Sequence, residues 1–271
     1  MNLEQKSQKL NKLISDMRSV AVAFSGGVDS TLVLKVAHDV LGEEAIALTA
    51  VSPSLPKKDL LETREIASRI NVRHKLIKST EFENPNYLKN SPQRCYFCKS
   101  DVYSRFERFA AKACINVVLD GTNYDDRGDF RPGRKAASKH NIRSPLLETE
   151  LTKSEIRELA RRLNLPNWDK PSAACLSSRI PYGSLITIKV LSQVEKAEQL
   201  LHDLGIKQCR VRHHGDTARI EVNPLDFEVI YANREKIREY FRNLGFNNTV
   251  LDLAGYRSGS LNTSVIEDVQ R

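Results

Sequence analysis

The amino-acid sequence predicts an α/β protein in which a doubly wound parallel sheet precedes a smaller α+β domain. Three observations carry that expectation. Short apolar runs alternate with amphipathic stretches through the first half of the chain, the order that builds a parallel sheet with helices on both faces. Residues 166–183, with three prolines, the single tryptophan and a run of small residues, then interrupt the pattern. Beyond Thr187 the order becomes helix, strand, strand, helix, strand. The expected domains are residues 1–184 and 185–271.

Val20-Ala21-Val22-Ala23-Phe24 reads as the first buried strand, and Thr31-Leu32-Val33-Leu34-Lys35-Val36-Ala37 as an amphipathic helix behind it. Residues 45–51 form a second apolar strand, and residues 57–70 place Leu60, Leu61, Ile66, Ala67 and Ile70 near helical spacing. A third strand is expected at 74–78 and a fourth at 116–119, the latter running into Asp120-Gly121-Thr122-Asn123. A parallel sheet binds ligands beyond the carboxyl ends of its strands, where residues 25–30, Val51-Ser52 and 121–126 all fall. Thr152-Lys153-Ser154-Glu155 has the capping-box spacing, with Ile156, Leu159, Ala160 and Leu163 on one helical face behind it. The C-terminal part is expected to contain a helix at 187–204, strands at 208–213 and 217–222 joined by His214-Gly215-Asp216, a single helix at 225–244 and a strand at 247–253.

Hydrophobic residues make up 40% of the chain, enough for a core in each domain. No apolar run approaches the roughly 18 residues that cross a bilayer, and the first residues lack the apolar stretch of a signal peptide, so a soluble cytoplasmic protein is expected. In that compartment the five cysteines do not form a disulfide framework, which makes clustered thiols candidates for metal binding or sulfur chemistry. The formal net charge of +8 fits a small phosphorylated substrate, a nucleic acid or a solvated basic surface.

Between the first strand and the first helix of the sheet stands Ser25-Gly26-Gly27-Val28-Asp29-Ser30. Adjacent glycines let the main chain turn tightly against an anion, and the N–H groups that open the next helix point at it with the helix dipole behind them. An ordinary Gly-Gly turn is the bland alternative. The loop lacks the lysine of the G-x-x-x-x-G-K-[ST] phosphate loop, which disfavours a kinase or GTPase site. It resembles instead the loop of the PP-loop ATP pyrophosphatases, which split ATP between its α and β phosphates, and that resemblance implies adenylation.

Cys95 and Cys98 form a Cys-x-x-Cys pair, read as lying in a loop ahead of a helix, and Cys175 lies in the segment between the domains. Three thiolates suit an iron–sulfur cluster with one open iron; a zinc site and a redox pair remain alternatives. Cys114 and Cys209 border strands in apolar company and read as ordinary buried thiols. Arg210 and Arg212, two apart in a strand, project from one face and suit a phosphate, with a cross-strand pairing to Glu221 as the alternative.

The chain as a whole resembles the LarE family, the sulfur transferases of nickel-pincer nucleotide biosynthesis that mature the cofactor of lactate racemase. The resemblance rests on Leu119-Asp120-Gly121-Thr122-Asn123, Asp129-Phe130-Arg131-Pro132-Gly133, Ser177-Ser178-Arg179-Ile180-Pro181-Tyr182-Gly183, Arg210-Val211-Arg212, Ala218-Arg219-Ile220-Glu221 and the segment 251–260. It implies ATP and Mg2+ at Ser25, Gly26, Gly27, Val28, Asp29, Ser30 and Gly121, with Asp29 near the metal. It also implies that Ser178, Arg179, Arg210 and Arg212 hold the phosphate of a pyridinium mononucleotide. Some members sacrifice the sulfur of one cysteine, matched by Cys175; with Cys95 and Cys98 added, this chain is similar to members with three cysteines and a [4Fe-4S] cluster. The implied reaction adenylates the carboxylates of pyridinium-3,5-biscarboxylic acid mononucleotide and converts them to thiocarboxylates with a cluster-bound sulfide, whose donor is unidentified. Family members assemble as hexamers with acidic residues binding metal at the three-fold contacts, and Glu198, Glu221 and Glu228 are the nearest matches. Solvated faces explain those glutamates equally well. The alternative function is a tRNA thiolase with the same loop and cluster, against which stand the single Cys-x-x-Cys pair and the absence of an added RNA-binding module.

Overall fold

The parallel sheet orders its strands Arg73–Lys78, Ala45–Val51, Val20–Ala23, Val117–Leu119, so the chain reverses direction across the sheet next to Val20–Ala23, the strand that leads into the glycine-rich loop. A computed structural model describes residues 1–128, 132–171 and 174–257. In chain order it contains α1 (Leu3–Ser15), β1 (Val20–Ala23), α2 (Val28–Leu41), β2 (Ala45–Val51), α3 (Lys57–Ile70), β3 (Arg73–Lys78), α4 (Pro85–Leu88), α5 (Arg94–Lys112), β4 (Val117–Leu119), α6 (Pro132–Lys139), α7 (Pro145–Glu148), α8 (Lys153–Arg162), α9 (Ile188–Asp203), β5 (Cys209–His214), β6 (Thr217–Val222), α10 (Phe227–Ala232), α11 (Arg234–Asn243) and β7 (Asn248–Leu251). Two of the motifs read from the sequence, Asp129-Phe130-Arg131 and Ser258-Gly259-Ser260, lie outside the described residues.

Contacts divide the chain into two units, one of Met1–Asn84 with Gln93–Ala173, the other of Pro85–Pro92 with the chain from Ala174 onward. In the first unit, alternate residues of β1 serve two cores. Val20 and Val22 pack with Leu10, Ile14, Leu32, Ile66, Leu146 and Ile156, while Ala21 packs with Tyr103, Phe106, Ala136 and Ile142. Helices α1, α2, α3, α7 and α8 therefore cover one face of the sheet, and α5 and α6 the other. Each fully buried Leu, Ile or Val contributes about 1.5 to 3 kcal/mol. The first turn of α8 is fixed by its capping box, in which the Thr152 side chain accepts from Glu155 N and the Glu155 side chain accepts from Thr152 N.

The second unit is built on a mixed sheet in which β6 runs antiparallel to β5 and parallel to β7. Leu201, Val211, Ile220, Phe241 and Phe246 form its core. The segment 85–92 belongs here because the buried Asn90 side chain donates to Ile180 O at 3.2 Å and Pro181 O at 2.7 Å, while Tyr87 Oη lies 2.6 Å from Ser177 Oγ. The division thus falls after Ala173, and residues 174–184 go with the second unit. The single helix expected at 225–244 is broken: a short turn at Pro224–Asp226 leads into α10, and α11 follows after Asn233. Asn233 leaves helical geometry at ψ 14° and donates its amide to Val229 O, the local competition that makes asparagine a poor helix interior.

Candidate active site

The loop after β1 is held by its own side chains. Ser30 Oγ donates to Gly27 O at 3.1 Å and accepts from Ser25 N at 3.3 Å; Thr31 Oγ1 donates to Gly27 O at 2.9 Å. Gly26 takes φ +73°, a conformation that costs a residue with a Cβ, and Gly27 caps α2 with no side chain over the helix end. The first-turn N–H groups of α2 therefore point out of the sheet's carboxyl edge, where an anion can accept from them. Gly121, just beyond β4, completes the wall: a Cβ there would lie 2.8 Å from Ser30 N. The loop falls between strand and helix where the sequence placed it, and Gly121, named from the resemblance, lies against it.

Two partners of the loop were not visible in the sequence. Asn167 Nδ2 donates to Gly26 O at 2.9 Å and to Thr31 Oγ1 at 2.8 Å, tying the segment after α8 to the loop. Lys153, the first residue of α8, places Nζ 2.8 and 2.6 Å from the two Asp29 carboxylate oxygens. Burial pushes the Asp29 carboxyl above its usual range, against the opposing pull of Lys153, and nearby Asp126 adds to the rise. An acid of this kind, facing a loop of helix amides, can share a cation with a bound phosphate chain. Lys153 satisfies that acid in the structure described.

Cys95 and Cys98 lie in the first turns of α5, not in a loop ahead of it, because the helix begins at Arg94. Their spacing of three residues puts both thiols on one face, Cys95 exposed and Cys98 half-buried. The pair has the donor chemistry and spacing to take two corners of an iron–sulfur cluster or two positions of a zinc site. Cys175 is exposed and belongs to the second unit. Among the described residues no three His, Cys, Asp or Glu side chains gather as a metal-ligand set. Cys209 is buried as expected, but Cys114 is exposed: it follows the end of α5 with φ +54°, a left-handed position that turns its side chain away from the core.

In the second unit Arg210, Arg212, Arg219 and Glu221 share one face of β5 and β6, while Val211, Ile220 and Val222 face the core. Arg212 is 5% exposed and donates through Nε and Nη2 to Glu221 Oε2 at 3.0 and 2.8 Å, and through Nη1 to Ser178 O at 2.8 Å. The cross-strand pairing is thus realised for Arg212. Arg179 forms a buried two-pronged pair with Glu198 at 2.9 Å, and Glu198 Oε1 also accepts Val211 N. Burial lowers Arg179, but Glu198 outweighs it and holds the guanidinium above its usual range. Arg210 lies over the Tyr256 ring at 5.3 Å, and burial together with neighbouring Arg179 lowers it below the usual arginine range. Ser178, Arg179, Arg210 and Arg212 are therefore brought together, with Arg179 and Arg212 each paired to a buried glutamate beside Arg210. Glu198 and Glu221 are buried in intrachain ion pairs and are not solvated surface acids; Glu228 is exposed.

No helix among the described residues is long and apolar enough to cross a membrane. The asparagine synthase family matches residues 9–122, the part of the chain that carries the glycine-rich loop. The chain is 45% identical, over 96% of its length and 98% of the relative's, to an uncharacterized protein of Synechocystis sp.. It is 30% identical, over 93% of its length and 98% of the relative's, to an uncharacterized protein of Methanocaldococcus jannaschii. To the pyridinium-3,5-bisthiocarboxylic acid mononucleotide synthase of Lactiplantibacillus plantarum it is 37% identical, over 97% of its length and 96% of the relative's. With a PP-loop sheet in one unit, an arginine-lined strand pair in the other and a match that spans both, the chain belongs to the LarE family of the PP-loop superfamily, that of pyridinium-3,5-bisthiocarboxylic acid mononucleotide synthase.

Proposed function

We propose that this protein is an ATP-dependent sulfur transferase that adenylates the carboxylates of pyridinium-3,5-biscarboxylic acid mononucleotide and converts them to thiocarboxylates. The observation that carries the reading is the near end-to-end match to the named synthase, joined to a phosphate-binding loop at the carboxyl edge of the sheet. ATP lies in the first unit, its phosphates on the amides of residues 25–30, with Gly121 giving the backbone room. Asp29 would hold Mg2+, which supplies charge neutralisation on the phosphates when bound. A substrate carboxylate oxygen attacks the α phosphorus, the bond to the pyrophosphate oxygen breaks, and N–H groups of the α2 first turn meet the charge that develops there. Lys153, freed from Asp29, adds a second cation at the same place. Sulfide then displaces AMP from the acyl adenylate, which yields the thiocarboxylate, and a second round converts the other carboxylate.

The second unit recognises the mononucleotide. Arg210 and Ser178 take the phosphate, with Arg179 and Arg212, fixed by Glu198 and Glu221, offering their remaining N–H groups beside it. Cys95, Cys98 and Cys175 would hold a [4Fe-4S] cluster, which when bound supplies sulfide at its open iron. The protein acts in the cytoplasm and as a homo-oligomer, a hexamer by its family. Anaerobic purification with an electronic spectrum, iron and labile-sulfide assays, and intact mass after reaction tests the assignment. Iron with sulfide and no mass change is the expected result. Loss of the mass of one hydrogen sulfide at Cys175 would overturn the cluster route in favour of a sacrificed cysteine, and retention of tRNA in place of the mononucleotide would overturn the substrate.

A further inference from the structure

Glu81 is a buried acid without a task in the reaction above. It follows β3 in the turn Glu81–Glu83 and is 2% exposed. Its Oε1 accepts Ser52 Oγ and Ser54 Oγ, each at 2.7 Å; its Oε2 accepts Ser79 Oγ at 2.6 Å and the Cys98 thiol at 3.3 Å. Ser52 and Ser54 follow β2, and Ser79 follows β3, so one carboxylate joins the carboxyl ends of two strands to the start of α5. These partners are hydroxyls and a thiol. Donors of that kind make a buried carboxylate tolerable and fix its orientation at the same time.

A second acid grips the same helix. Asp101, three residues after Cys98, accepts Thr80 N and Thr80 Oγ1, each at 2.8 Å, and Ser79 Oγ lies 2.9 Å from it. Ser79 thereby stands between the two carboxylates, and both act on the stretch of α5 that carries the thiol pair. Asp101 is held by Ser79 and Thr80 at the strand end and by Arg105 one turn along its own helix, whereas Glu81 reaches the thiol itself. We propose that Glu81 is a positioning residue for the cysteine pair, holding the Cys98 thiol against the carboxyl ends of β2 and β3, the edge on which the phosphate loop also opens. Its importance for sulfur transfer rests on the proposed function, but the clamp does not.

The test labels metal-free protein with N-ethylmaleimide and reads Cys98 against Cys95 by fragment mass spectrometry. Cys95, exposed on the same turn, is the internal reference. Glu81→Ala is expected to raise the Cys98 to Cys95 ratio by about tenfold, the factor that corresponds to an anchor of about 1.4 kcal/mol. Glu81→Gln, which keeps an acceptor oxygen and the shape, returns the ratio toward wild type. Ser54→Ala, which loosens the carboxylate without touching the thiol, gives a smaller rise and carries the test if Glu81→Ala does not fold. An unchanged ratio in a folded Glu81→Ala or Ser54→Ala protein overturns the clamp. Iron uptake on anaerobic reconstitution is a separate readout: loss in Glu81→Ala supports the clamp, whereas no uptake by wild type sinks the cluster reading and leaves the labelling ratio to decide on Glu81.

Discussion

Gly121→Ala isolates the contact between the strand-end loop and the phosphate site. The new Cβ would sit 2.8 Å from Ser30 N, 3.1 Å from Ser30 Cα and 3.2 Å from Asp29 C. Ordinary contact begins at 3.4 Å, so the backbone must give by about 0.6 Å. Residue 121 cannot easily retreat, because buried Asp120 beside it accepts Thr122 N at 3.0 Å, Ser144 Oγ at 2.7 Å and Tyr103 Oη at 3.1 Å. The shift therefore goes into the first turn of α2, whose amides hold the phosphates in the proposed reaction. Overpacking of this kind costs about 1 to 3 kcal/mol, and since a 1 Å misplacement costs roughly a hundredfold in rate, AMP formation should fall by about tenfold or more. The assay is AMP release with substrate and ATP, alongside a thermal melt. Gly42→Ala is the control: Gly42 takes φ +55° and ψ −125° with nothing within 4 Å, so alanine there should cost about 1 to 3 kcal/mol and leave AMP release unchanged. A Gly121→Ala protein with wild-type AMP release would refute the placement of the site.

Asp29→Asn should abolish AMP formation without loss of fold. The Asp29 carboxyl is raised above 3.8 chiefly by burial, so its contribution is fully present below that value and lost as pH rises through its folded value; the variant should match or exceed the wild-type melting temperature at neutral pH, an advantage that fades toward pH 3.8. Retained adenylation would sink the assignment. Lys153→Met should tighten binding of Mn2+ to the nucleotide-free protein, read by its paramagnetic resonance, while AMP formation falls; unchanged Mn2+ affinity would remove Lys153 from the site. Arg212→Ala should destabilise the fold by about 3 kcal/mol, because it strips a partner held at 2.8 Å from the buried Glu221 carboxylate. A wild-type denaturation midpoint would refute that. His74, His213 and His214 are all held below 6.5, first by burial, so the stability they confer is present above that value and lost as pH falls through it toward their folded values. A melting temperature that stays flat from about pH 8 to about pH 5 would contradict this.

What the sequence made legible was local. The helix at 57–70 and the strand at 217–222 appear with the expected ends, since each announces itself by periodicity within its own length. The glycine-rich loop was legible as a turn between strand and helix because its six residues are consecutive and both flanks announce themselves by their own pattern. Lys153 and Asn167 were hidden for the opposite reason: their partners lie 124 and 141 residues away, and the capping box that located Lys153 says nothing about where its side chain reaches. Glu81 stood in a turn with no pattern, its meaning supplied by serines from two strand ends. Cys114 misled because neighbouring apolar residues suggest burial, whereas a left-handed residue at a helix end turns outward.

The hydroxyls of the phosphate loop are bonded to the loop itself, and that bears on how readily the enzyme lets go. In the proposed reaction an arriving phosphate oxygen does not find idle hydroxyls in Ser25 and Ser30; it must displace Gly27 O or a neighbouring hydroxyl, so each new bond to a serine replaces an existing one and its net gain is a fraction of its gross strength. The conformational entropy of the loop is already spent when the chain folds, which keeps the amides aligned between turnovers. Pyrophosphate, the product that the same amides would grip, can therefore be surrendered by letting the serines close back on their own backbone, and the loop is left in the shape that receives the next nucleotide.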